Sequence, residues 1–215
     1  MEKTKVKNLF FSKLMQSSNA TKRIVYVALI TAFNVVCGSL LEFRMADTQF
    51  SVTIAMSVLS GVILGSVFGF VACFLGDLVG FMVSSWGFMY MPWVGLSTAV
   101  TAFIAGVIIN GIDFKFKGGV VLKILMVSVA SLLICTILIN SAGFYFYNYY
   151  MGFSTAVIDY VKNLFGTDVT YIGYVFYRLI FKGQIFNCLF NYGLIFAIVP
   201  IVLKLKILNG ERSSD

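Results

Sequence analysis

Residues 50–83 read FSVTIAMSVLSGVILGSVFGFVACFLGDLVGFMV, an apolar run in which Asp77 is the one charged side chain. As a single helix rising about 1.5 Å per residue it would be roughly 50 Å long, well beyond a hydrocarbon core about 30 Å thick. The run must double back. A reversal near Gly65 to Gly69 divides it into two spans, Phe50–Leu64 and Val67–Val83. Ser57, Gly61, Gly65 and Gly69 recur at four-residue intervals, a spacing that lets helix backbones approach closely.

The rest of the chain has the same character. It has 215 residues, 60% hydrophobic and 12% charged, with a mean hydropathy of +0.93. Soluble domains carry about 25% charged residues, so these values point to an integral membrane protein with no room for a large soluble domain. Further spans follow at Ile24–Leu41, at Pro92–Ile109, at Val120–Ala142 and at Ile185–Leu203. Pro92 suits a helix start because the first N–H needs no internal partner. The expected fold is an all-α bundle of six transmembrane helices. Residues 1–23 form a basic lead, 24–206 the membrane domain and 207–215 a tail. The longest connection, Gly143 to Gln184, carries the interfacial aromatics Tyr145, Phe146, Tyr147, Tyr149 and Tyr150. Within it, Val157, Val161, Leu164 and Phe165 fall at helical intervals opposite Asp159, Lys162 and Asn163, which predicts a short surface helix over Thr155–Phe165.

Charge sets the expected orientation. With both termini in the cytoplasm, about twelve of the sixteen basic residues lie inside, as the positive-inside rule requires. Outside are Arg44, Lys162, Arg178 and Lys182, and the net charge of +7 is mostly a topology signal rather than a nucleic-acid surface. The chain has no His, and its four cysteines, Cys37, Cys73, Cys135 and Cys188, lie far apart in apolar runs. Metal and disulfide frameworks are therefore not expected. No GxxxxGK[ST] motif occurs, so the chain has no Walker-type site with which to hydrolyse ATP.

Several residues have a functional and a structural reading. A carboxylate costs about 2.5–3.5 kcal/mol at a helix centre on insertion scales, so Asp77 faces either a site or a helix partner. Trp86, Phe88, Tyr90 and Trp93 around Pro92 form either a stacking surface for a planar heterocycle or an interfacial belt. Asn187 and Asn191, one turn apart, bind a ligand or join helices. Ala28 and Ala32 leave a shallow groove for a partner helix or for internal packing.

The Ala28-LIT-Ala32 pattern in the first span, Arg44 after it, GDLVG at Gly76 to Gly80 and YMPWVGLSTAVTAFIAG from Tyr90 to Gly106 together resemble the S components of energy-coupling factor (ECF) vitamin transporters, and among these the folate members. Trp93-Val94 stands where the folate pattern has Gly-Phe. The resemblance implies a vitamin-binding subunit in the bacterial cell membrane that is not an enzyme and needs no cofactor. It implies a transmembrane coupling subunit and two cytoplasmic ATPases as partners, docked on Ala28 and Ala32. It also implies a folate site in which Asp77 or Asn187 pairs with the pterin edge. Trp86, Tyr90 or Trp93 would stack on its face, and Arg44, Arg178 and Lys182 would meet the glutamate carboxylates. Other S components take riboflavin, thiamine, biotin, pantothenate or queuosine precursors. The competing reading is a solitary proton-coupled transporter titrating Asp77, or a noncatalytic interaction protein.

Overall fold

A computed structural model of the chain describes residues 9–39, 41, 43–45, 48–83, 89–112, 114, 116 and 118–205, with the strand residues between 43 and 50 described by their backbone. Among these, a short helix α1 (Lys13–Ser17) leads into α2 (Ala20–Ser39). A hairpin follows, β1 (Phe43–Met45) against β2 (Thr48–Phe50), antiparallel with Arg44 opposite Gln49. The remaining elements are helical: α3 (Thr53–Leu64), α4 (Ser66–Val83), α5 (Pro92–Gly111), α6 (Gly119–Met151), α7 (Thr155–Phe165), α8 (Tyr171–Phe181) and α9 (Gln184–Val202). By length and composition α2, α4, α5, α6 and α9 can each cross a membrane.

The reversal predicted between Gly65 and Gly69 falls at Gly65 itself. Its φ of 87° and ψ of 177° end α3, and α4 starts at the next residue. That conformation is essentially open to glycine alone. A Cβ on Gly65 would also stand 2.5 Å from the Ser12 nitrogen, because the segment before α1 crosses the turn. Ser12 Oγ donates to the Ile63 carbonyl at 2.6 Å, and Phe11 packs on Phe68. Leu14 and Met15 are buried against Ile30, Leu64 and Ala72. Above the turn the helices touch through their backbones. A Cβ on Gly61 would collide with the Ala102 carbonyl of α5, one on Gly69 would lie 2.9 Å from the Gly61 Cα, and one on Gly106 would strike Ser66. The main apolar core, which includes Val58, Val62, Ala105, Ile124, Val127, Ile195 and Val199, lies where α3, α5, α6 and α9 meet.

The bundle is all-helical as expected, and the polar stretch after the first span adds to it a short β1–β2 hairpin; the bounds of two spans are corrected. That hairpin takes up Phe50, so α3 begins at Thr53 and has 12 residues, too few to span a bilayer core alone. The fifth span does not end at Ala142: the helix runs on to Met151, 33 residues in all. The long connection is accordingly not a loop. It consists of the end of α6, the helix α7 at the predicted Thr155–Phe165, and α8, and Val157, Val161, Tyr174 and Tyr177 pack there as a second, separate core. The 1–8 lead, Trp86 and the residues from 206 onward lie outside the described residues.

Because the Gly61 crossing leaves no room for a side chain, Gly61→Val is expected to destabilise the bundle by about 1–3 kcal/mol or more. Thermal unfolding in detergent, followed by size-exclusion chromatography, reads this as a lowered midpoint, with Gly193→Ala as a control whose midpoint does not fall, because nothing lies within 4 Å of its position and alanine suits a helix interior.

Candidate functional site

Pressing one side of α5 against α3 and α4 leaves its other side free. On that side Val94, Ser97, Thr98 and Thr101 fall at successive helical turns and form one wall of a cavity of about 240 Å³. Their hydroxyls donate back to their own helix: Ser97 to the Val94 carbonyl, Thr98 to Gly95 and Thr101 to Ser97. Each oxygen therefore keeps acceptor capacity toward the cavity. The facing wall comes from the middle of α6, where Ser131–Ser141 is wound as a π-helix. Hydrogen bonds spanning five residues widen the turn, and this brings Ser131, Thr136 and Asn140 onto the cavity, with Phe144 beyond them. The cavity is closed by Ser51 and Thr53 at the start of α3, by Arg178 from α8, and by Gln184 and Asn187 at the start of α9. Its size admits one small molecule.

Arg178 is the cation of this lining. Its guanidinium carbon lies 4.2 Å above the Phe144 ring centroid, a cation–π contact, and Nη2 donates to Gln184 Oε1 at 3.4 Å. Among the described residues no carboxylate pairs with it, and its Nη1 is buried with no hydrogen-bond partner. Asn140 Oδ1 is likewise buried and unpartnered. Buried polar groups are normally satisfied, since an unmade hydrogen bond costs about 1–3 kcal/mol. Arg178 and Asn140 both line the cavity, and each carries one buried polar atom that the protein leaves without a partner.

Asn187 and Asn191 serve largely as joints. Asn191 is fully buried; its Oδ1 accepts from the Ala55 N–H at 2.9 Å and its Nδ2 donates to the Ser51 carbonyl at 2.7 Å. Asn187 Oδ1 accepts from the Ser51 N–H at 3.1 Å and from Asn191 Nδ2 at 3.1 Å. Together they satisfy backbone groups at the start of α3, which has no side-chain cap of its own. Asn187 also lines the cavity.

The other candidates are dispersed. Asp77 and Tyr90 meet across Gly95, where an added Cβ would lie 2.5 Å from Asp77 Oδ2 and 3.0 Å from the Tyr90 hydroxyl. Gly95 points away from the wall formed by Val94 and Thr98, so this pair sits behind α5 and outside the cavity lining. Burial, and then the Asp77 carboxylate, push the Tyr90 hydroxyl up to about 12. Trp93 stands one layer back, edge-on to Phe144 at 5.7 Å and flush against Gly143. Lys182, the residue after the end of α8, does not join Arg178 in the lining. Arg44 is in β1, and Trp86 lies outside the described residues. Ala28 and Ala32 are exposed on α2, beside Leu29, Phe33 and Val36. Sequence reasoning missed the hydroxyls of α5 and α6. Ser97 and Thr101 carried a signal in their four-residue spacing, but the π-winding that aligns Ser131, Thr136 and Asn140 had none.

A polar cavity enclosed by apolar, membrane-length helices is the build of a small-molecule carrier. The model of the ECF-type riboflavin transporter S component family matches residues 18–182, most of the chain. The chain belongs to this family. It is a vitamin-binding transporter subunit and a multi-pass membrane protein, it works with an ECF module, and it is not an enzyme. No curated protein matches the chain.

The two asparagines separate structure from recognition. Asn191→Ala strands backbone groups of α3 and is expected to cost about 1–3 kcal/mol, whereas Asn140→Ala removes an already unpartnered acceptor and leaves the unfolding midpoint unchanged or raised. Thermal unfolding of the two purified variants without vitamin makes the comparison.

Proposed function

We propose that this S component binds riboflavin in the cavity between α5, α6 and α9. The observation that carries the reading is a polar chamber lined by Arg178 and Asn140, each of which has one polar atom, Nη1 and Oδ1, without a partner in the protein. A cyclic imide or lactam offers a carbonyl for a donor such as Arg178 and an adjacent N–H for an acceptor such as Asn140, whereas a carboxylate offers no donor to the asparagine oxygen. The flavin ring carries such an edge, and its ribityl hydroxyls suit the acceptors of Ser97, Thr98, Thr101 and Thr136. The matched family's description supports the same choice.

Folate is the second reading, favoured by the GDLVG and YMPWVG segments and by Arg178. Its pterin has the lactam edge, but its tail brings two carboxylates to a lining whose single cation is Arg178. For folate, Arg44 or Lys182 would have to supply the second charge.

The vitamin is captured outside and released to the cytoplasm. Lys13 in α1, Lys22 and Arg23 in the first turn of α2 and Lys204 after α9 suit the cytoplasmic side, which supports a cavity in the outer half of the bundle. With α3 completing a sixth crossing together with its hairpin, both termini are cytoplasmic. The exposed Ala28 and Ala32 face of α2 receives the transmembrane coupling subunit, and two ATPases drive release.

Isothermal titration of the purified protein is expected to give riboflavin binding at micromolar ligand or below, folate binding much weaker or absent, and a loss of about tenfold or more with Arg178→Gln. Folate heat without riboflavin heat would reverse the assignment. Ala28→Trp is expected to abolish co-purification with the ECF module while leaving vitamin affinity near wild type; loss of both would mean that face packs internally.

A further inference from the structure

The helix that presents Ala28 and Ala32 buries few of its apolar side chains. Along the twenty residues of α2 only Ile30 is buried, while Ile24, Val25, Leu29 and Phe33 are exposed. In a bilayer lipid is as apolar as these side chains, so close packing and polar contacts must fix such a helix. One residue supplies both. Asn34 Nδ2 donates to Ser60 Oγ of α3 at 3.0 Å and to its own helix at the Ile30 carbonyl, and Asn34 Oδ1 accepts from Cys73 Sγ of α4 at 3.6 Å. Ser60 Oγ in turn donates to the Met56 carbonyl, so the chain of bonds ends on backbone.

The fit around Asn34 is tight. An added Cβ on Gly76 of α4 would stand 2.6 Å from the Asn34 Cβ and 3.3 Å from the Thr31 carbonyl, so α2 crosses α4 at this glycine with Asn34 in the contact. On a helix Asn34 points away from Ala28 and Ala32, which share the opposite face. The cavity lining includes no residue of α2 or α4.

We propose that Asn34 is the positioning residue of the docking helix: tied to Ser60 and Cys73 and seated on Gly76, it fixes the rotation of α2 so that the Ala28 and Ala32 face is turned toward the coupling subunit. The inference rests on the docking reading above and goes beyond it by naming what orients the face. Asn34 touches neither the vitamin nor the partner.

The test uses the full-length protein expressed with its ECF module, with the recovered complex and riboflavin affinity measured on each preparation. Asn34→Leu keeps size and lipid compatibility but removes both interhelical bonds. It is expected to lower recovery of the module about tenfold while riboflavin affinity stays within about twofold of wild type. Ser60→Ala is expected to give part of that loss, and Asn34→Leu combined with Ser60→Ala no more than Asn34→Leu alone, because both remove the same contact. Wild-type recovery with Asn34→Leu overturns the proposal, as does a parallel fall in vitamin affinity, which would make Asn34 a residue of the whole fold. Ala28→Trp on the same preparations separates the two claims: if it leaves recovery intact, the docking face itself is wrong.

Discussion

Backbone contact between α3, α4 and α5 at Gly61, Gly69 and Gly106 is the constraint on which the rest of the molecule depends. Water cannot drive helices together inside a bilayer, so association relies on surfaces that come near enough for dispersion and polar contacts to add up. Removing side chains at these three positions brings α5 so close to its neighbours that its inner face is used up. Its opposite face, with Ser97, Thr98 and Thr101, is then left to form a wall. The long helix α6 and the last helix α9 close on that wall at a distance, and the space between them is the cavity. The packing that makes the bundle firm thus also makes it hollow on one side.

Much of this was legible in the chain. The length of the apolar run at 50–83 required a reversal, and the four-residue glycine spacing marked both the turn at Gly65 and the crossing at Gly61. The surface helix at Thr155–Phe165 followed from its apolar spacing. What stayed hidden depends on winding and on neighbours. The π-helical middle of α6 realigns Ser131, Thr136 and Asn140, and nothing in their residue types marks a helix with five-residue hydrogen bonds. Asp77 attracted notice as a charge in a span, yet it sits behind α5 with Tyr90, because the face a helix turns to a cavity is decided by which of its sides the glycines commit to packing. Asn191 illustrates the opposite ambiguity: a polar residue one turn from the lining is occupied with the backbone of α3.

The division of labour between recognition and architecture follows. Polar side chains bonded between helices, such as Asn34 and the buried Asn191, hold helices in place, while Arg178 and Asn140 line the cavity with one polar atom each left unpartnered by the protein. Family membership makes the chain a vitamin-binding subunit that works with an ECF module. The cavity proposed to bind the vitamin and the exposed face of α2 proposed for docking lie on different helices, so the two proposals can be tested separately.

The most direct measurement is the identity and stoichiometry of the small molecule that leaves with the protein when it is purified from membranes, by mass spectrometry of the extract, for the wild type and for Arg178→Gln. The account predicts riboflavin at close to one molecule per chain in the wild type and its loss in the variant. A vitamin without a lactam or imide edge, or riboflavin retained equally in both, would contradict it.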